Sequence, residues 1–173
     1  MADSIVKKIV AASGSLIALK YGKQLVVFII SLMPILELRG GLLAASLMNM
    51  DPLESYIIAI IGNIIPIPFI LLFINKILEW MRGCKVGFIN RFANWLYMKV
   101  DKHKEPIEKY GFWGLVLFVG IPLPGTGAWT GCLIASVLNM DRKKAFLASL
   151  IGVLMASVIM MIISFGIIGN IIR

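Results

Sequence analysis

The sequence predicts an all-α integral membrane protein of two repeats, each a broken re-entrant hairpin followed by a spanning helix, inverted relative to one another and joined by a basic amphipathic helix. Three observations predict it. Hydrophobic residues make up 60% of the 173 and charged residues 15%, outside the range of ordinary soluble domains. The apolar runs 56–74 and 145–168 can each cross about 30 Å of hydrocarbon at about 1.5 Å per residue. The two halves also align at a shift of ninety residues. One membrane domain, 1–173, then divides into an N-terminal interfacial helix (1–22), a first repeat (23–79), an amphipathic linker (80–109) and a second repeat (110–173).

At the N-terminus Lys7 and Lys8 precede a short apolar run, 9–19, with no clear small-residue cleavage signal before Lys20. A retained helix is expected, too short to span, lying along the interface or packed on the bundle.

Residues 25–50 are apolar except where Pro34-Ile-Leu-Glu-Leu-Arg-Gly-Gly41 places Glu37 and Arg39 between a helix breaker and two glycines. A charge at bilayer depth costs at least about 2.5 to 3.5 kcal/mol, so such a pair is a functional-site hypothesis. Asp51-Pro52 then marks a turn into a spanning helix expected to end near Glu79, with Asn63 inside it and Pro66 and Pro68 just beyond.

The wettest part of the chain is 80–109, and eight of the seventeen basic residues lie between Lys76 and Lys109. On a helix, Cys84, Phe88, Phe92, Trp95 and Leu96 share one face and Asn90, Asn94 and Asp101 the other, a pattern for the surface of an anionic membrane. His103, among Lys102, Lys104 and Glu105, is expected to be a solvated surface residue. The net charge of +8 comes from bases clustered between membrane segments, where the positive-inside rule explains them more simply than nucleic acid does.

The shift of ninety brings Leu25, Val26, Phe28, Pro34, Gly41, Leu43, Ala45, Ser46, Asn49, Met50, Asp51, Ile61 and Gly62 onto identical residues of the second half. Chance supplies leucine and isoleucine matches easily. The proline, the Ala-Ser pair and the Asn-Met-Asp run carry the inference of a duplication. One residue earlier in register, Lys20-Tyr-Gly22 meets Lys109-Tyr-Gly111. In the second unit the break is Pro122-Leu-Pro-Gly-Thr-Gly127, which two prolines and two glycines keep from being a smooth helix.

Two topologies fit these units. If the broken segments cross, four spans leave thirteen Lys or Arg on the side of the N-terminus and three opposite; if they re-enter, the repeats are inverted and the division is eleven to five. Charge leans to crossing. The arms, 24–36 and 40–50, lean the other way, since each is only about 16 to 20 Å long as a helix. Two inverted hairpins meeting tip to tip would also enclose the irregular backbone that lipid cannot tolerate.

The segments 34–41 and Pro122-Leu-Pro-Gly-Thr-Gly-Ala-Trp129 resemble the signature segments of the putative small multidrug export protein family, a relative of the DedA and VTT superfamily. The resemblance covers nearly the whole chain. It implies opposed re-entrant hairpins and a role in transport or lipid translocation, because the superfamily includes proteins that flip undecaprenyl phosphate or scramble phospholipids. DedA proteins carry arginines around the second tip, whereas 120–130 has no charge here, which weakens any transfer of lipid-phosphate chemistry.

The sites follow. Glu37 is a candidate proton carrier and Arg39 a candidate partner for an anionic group, its planar fork suiting phosphate. The alternative is a static pair, although residues two apart on a helix do not face one another. Gly40, Gly41, Pro122, Pro124, Gly125, Thr126, Gly127 and Trp129 complete the two tips, and Asn63 offers an amide inside the first span. No cofactor, metal or catalytic set is suggested, and Cys84 and Cys132 are expected to be free thiols or packing residues. The expected function is therefore transport of an amphiphile, a lipid phosphate or a hydrophobic drug, across the inner membrane, with proton coupling and homo-oligomerisation left open. The rival is a non-transporting scaffold in which the same charges lock helices together.

Overall fold

The computed structural model describes residues 2–83, 87–123 and 125–168. Pro124 and Cys84, and the side chains of Phe88, Phe92 and Trp95, lie outside the described residues. The expected apolar face of the linker is therefore not described.

Among the described residues ten helices follow in chain order: α1 (Ala2–Ala12), α2 (Gly14–Ile17), α3 (Gly22–Leu32), α4 (Glu37–Leu47), α5 (Pro52–Ile64), α6 (Pro66–Gly83), α7 (Gly87–His103), α8 (Glu105–Gly120), α9 (Ala128–Val137) and α10 (Arg142–Met161), which ends in a π-helical turn, Ile162–Ile168. Among the described residues there is no strand. Two stretches of the described residues are long and apolar enough to cross a membrane, Pro52–Met81 and Arg142–Gly166. The first joins α5 to α6 through Ile65, which keeps helical angles and donates to the Ile61 carbonyl at 3.1 Å. Pro66 and Pro68 then remove two donors from the middle of the span. Helix α6 runs to Gly83, past the expected end near Glu79.

Helices α3 and α4, eleven residues each, form an antiparallel hairpin: Lys23 at the start of α3 donates to the Met48 carbonyl beyond the end of α4 at 2.8 Å. Eleven residues make about 16 Å, half the hydrocarbon thickness. The arms touch closely because Gly41 carries no Cβ; one there would run into the Ser31 hydroxyl, which donates to the Val27 carbonyl at 2.8 Å. Val6 of α1 is fully buried, and α1 packs on α4.

Helix α8 is broken at Gly111, whose φ of 54° and ψ of −121° lie outside the helical region. Residues 105–110 consequently fold back along 112–120, and a Cβ at Gly114 would lie only 3.0 Å from the Cα of Ile107. Residues 112–120 pair with α9, where Gly131 meets Val119 and Leu115.

Local geometry recurs at positions ninety apart. Asn49 and Asn139 both adopt left-handed φ, 50° and 52°, a conformation Asn tolerates better than most residues. Asp51 and Asp141 then cap the two spans, accepting from the Glu54 and Lys144 amides at 2.9 Å. Each span also leans on the first arm of its own hairpin: a Cβ at Gly62 would lie 2.9 Å from the Phe28 carbonyl oxygen, and one at Gly152 2.9 Å from that of Val116. Hydrogen bonds tie the halves crosswise as well. Ser46 of α4 donates to the Ser164 carbonyl at 2.6 Å, and Asn75 of α6 donates to the Ser136 carbonyl at the end of α9 at 2.9 Å.

Candidate functional site

The tips of the two hairpins meet. Glu37 opens α4 with a φ of 52°, an uncommon left-handed conformation for a residue that is neither Gly nor Asn, and only 5% of it is exposed. Its carboxylate oxygens accept from the backbone amides of Ala128 at 3.1 Å and Trp129 at 3.0 Å. These are the first amides of α9, which have no partner within their own helix, and the positive end of the helix dipole lies there. The residue before them, Gly127, has no side chain with which to cap α9. A carboxylate from the other half of the chain takes that role.

Arg39, two residues on in the same turn of α4, reaches the same tip and finds opposite charge of another kind. Its guanidinium donates to the carbonyls of Leu123 at 2.6 Å and Ile121 at 3.3 Å and to the Thr126 hydroxyl at 3.1 Å. The Thr126 hydroxyl itself lies 3.0 Å from the Ile121 carbonyl and 2.9 Å from that of Leu123. The Trp129 indole completes the junction by donating to the Leu32 carbonyl at 3.1 Å. Glu37 and Arg39 thus take different backbone partners, an anion on a helix N-terminus and a fork on outward carbonyls. Backbone groups left open by the breaks at both tips are satisfied by two side chains.

The remaining expected residues divide. Gly127, with φ of 142°, sits directly against the Glu37 carboxylate, where a Cβ would collide with both oxygens. Gly125 is exposed at the tip with φ of 88°, and Pro122 is half-buried beside it. Gly40 serves packing, since a Cβ there would lie 2.7 Å from the Leu36 Cβ and 3.0 Å from Ile30. Pro124 is outside the described residues. Asn63 is 1% exposed, and neither atom of its amide has a hydrogen-bond partner among the described residues. An unpaired amide so deep is costly and marks a place where water or a polar ligand group would be held.

His103 departs from expectation. It is half-buried, edge-on to Phe118 with ring centroids 6.0 Å apart, and its Nε2 lies 3.8 Å from where a Gly125 Cβ would be. The fold-back at Gly111 carries it there, out of the solvated surface that its charged neighbours suggested. A glycine in Lys109-Tyr-Gly111, between two apolar patterns, was the available signal. Cys132 is fully buried, 3.2 Å from the Ser149 hydroxyl, as a packing residue.

A family model described as "Putative small multi-drug export protein" matches residues 37–159, from Glu37 at the first tip to the last turn of α10. No curated protein and no solved structure matches the chain.

Proposed function

The chain belongs to the putative small multi-drug export protein family, and from that premise we propose that it moves an amphiphile across the inner membrane by way of the junction between the two hairpin tips. In this reading the hairpins are re-entrant, the halves are an inverted duplication, and the tips meet near the midplane. The single observation that carries it is the pairing of Glu37 and Arg39 with backbone groups that a substrate can also satisfy. A lipid phosphate presents the same kind of anionic oxygens as the carboxylate, so it competes for the α9 amides while Arg39 holds it by two points. A hydrophobic cation instead pairs with Glu37. A carboxyl group displaced by the phosphate into an apolar surrounding takes up a proton, whereas a cation that pairs with it drives a proton off, and either exchange couples proton movement to transport.

A scaffold reading has its own support in the completeness of the junction, since bonds this well satisfied also lock helices. Flux decides between them. Purified protein in proteoliposomes should move a polyprenyl phosphate or a hydrophobic cation faster than protein-free vesicles, and faster still with an imposed pH difference. Flux equal to that of empty vesicles for both classes would leave the scaffold.

Two further results are expected. Single cysteines at positions 23 and 49 should label from one side of the membrane and a cysteine at 102 from the other. Labelling of 23 and 49 from opposite faces would replace the inverted hairpins by four parallel spans. Asn63→Leu should raise resistance to thermal unfolding in detergent, because exchanging an unpaired buried amide for an apolar group of similar volume removes a cost of about 1 to 3 kcal/mol. It should also slow flux if the amide meets substrate or water on the way. A stabilised variant with unchanged flux assigns Asn63 to structure alone.

A further inference from the structure

We infer that the outer face between α6 and α10 is a binding site for one anionic phospholipid that stays with the protein and is distinct from the junction of the tips. A groove of about 430 Å³ lies there, lined by Pro68, Leu71 and Leu72 of α6 and by Phe146, Leu147 and the aliphatic stems of Arg142 and Lys143 of α10, an almost wholly apolar surface. The two charges stay outside that apolar lining, on exposed side chains at its α10 edge. Phe146 and Leu147 come one turn after the two cations on α10, so the apolar groove and the charges at its edge lie within about 6 Å of one another along the helix. That is the order in which a phospholipid presents its phosphate and its chain.

Size agrees with one chain. At about 30 Å³ for a water-sized group, a volume a methylene nearly matches, 430 Å³ holds about fourteen such groups. The groove also lies on surface already apolar and outward: Leu72 and Leu147 are exposed, as are Phe69 and Phe73 on the neighbouring turns of α6. The charge is not consumed elsewhere in the groove. Asp141 caps α10 through the Lys144 amide, while Arg142 and Lys143 are exposed and each is set to attract anionic headgroups at an interface. A neutral lipid or an apolar helix face would satisfy the hydrocarbon part but leave the cations without reason, so the charge commits the site to an anionic lipid.

The test is native mass spectrometry of the full chain released from nanodiscs that hold equal amounts of phosphatidylglycerol and phosphatidylcholine with identical chains. One phosphatidylglycerol per chain should be retained in preference to phosphatidylcholine. Arg142→Gln with Lys143→Gln should cut that preference about fivefold for each cation removed, while retention of phosphatidylcholine is unchanged. Leu72→Trp, at an exposed position that tolerates bulk, should fill the groove and lower retention of both lipids. Equal retention of the two lipids by the parent chain, or undiminished preference in the double glutamine variant, would overturn the site. Protein dimers that lose lipid only on dissociation would overturn it in favour of a second copy covering the groove.

Discussion

Gly127→Ala should abolish transport and lower thermal stability more than any other single change at the tips. Two independent costs meet at this residue. Its φ of 142° is a region that L residues rarely adopt, worth about 1 to 3 kcal/mol of strain. The added Cβ would also occupy the space of the Glu37 carboxylate, expelling it from the Ala128 and Trp129 amides. Charge-assisted bonds of this kind contribute about 1.5 to 3 kcal/mol each, and losing them strands both a buried charge and two helix-terminal donors. A second variant separates the causes. Glu37→Ala added to Gly127→Ala removes the collision but not the strain, so it should recover part of the stability and none of the flux. Thermal unfolding in detergent with parallel flux measurements checks this, and a Gly127→Ala protein that melts and transports like the parent would refute the geometry of the junction.

Glu37→Gln should remove the response of flux to a pH difference. The amide keeps one acceptor oxygen but turns its NH₂ toward a backbone N–H, so one of the two contacts to α9 becomes unfavourable and the charge on the helix terminus is lost. The tips should loosen as well as losing the proposed proton carrier. Gradient-driven flux should fall by roughly ten- to a hundredfold, the equivalent of about 1.5 to 3 kcal/mol. Arg39→Lys is the companion variant: a single ammonium cannot reach Leu123, Ile121 and Thr126 together, and a phosphate substrate should lose more than a cationic one. Flux that responds to the gradient in the Glu37→Gln protein as in the parent would reduce the pair to a structural clamp.

Much of this arrangement is legible in the residues before any coordinates. Pro34 and the glycines at 40 and 41 announce a break, Asp51-Pro52 and Asp141 announce helix starts, and two charges amid apolar residues announce a site. The partners of those charges are not legible. Glu37 and Arg39 bind amides and carbonyls, groups every residue carries, so nothing in the composition of 121–129 names them. The uncharged second tip looked poor in chemistry for the same reason: its polarity lies in its backbone. The place of His103 is hidden because its neighbours in sequence are charged, whereas its position is set by one glycine eight residues later. Asn75 and Ser46 were passed over because an amide or hydroxyl that bonds a distant carbonyl has no local pattern to betray it.

The crosswise bonds of Ser46 to the Ser164 carbonyl and of Asn75 to the Ser136 carbonyl make the molecule a pair of levers. They pin each hairpin at its back, far from the tip, to the end of the opposite half. From Ser46 to Glu37 is nine residues, about 14 Å of helix, so the clasp is a fulcrum and the tip a jaw. A rotation of roughly ten degrees about that fulcrum would part the jaw by about 2.4 Å, enough to carry the bonds between the tips beyond hydrogen-bond range while scarcely disturbing the clasp itself. An opening of that kind would need no hinge inside the helices.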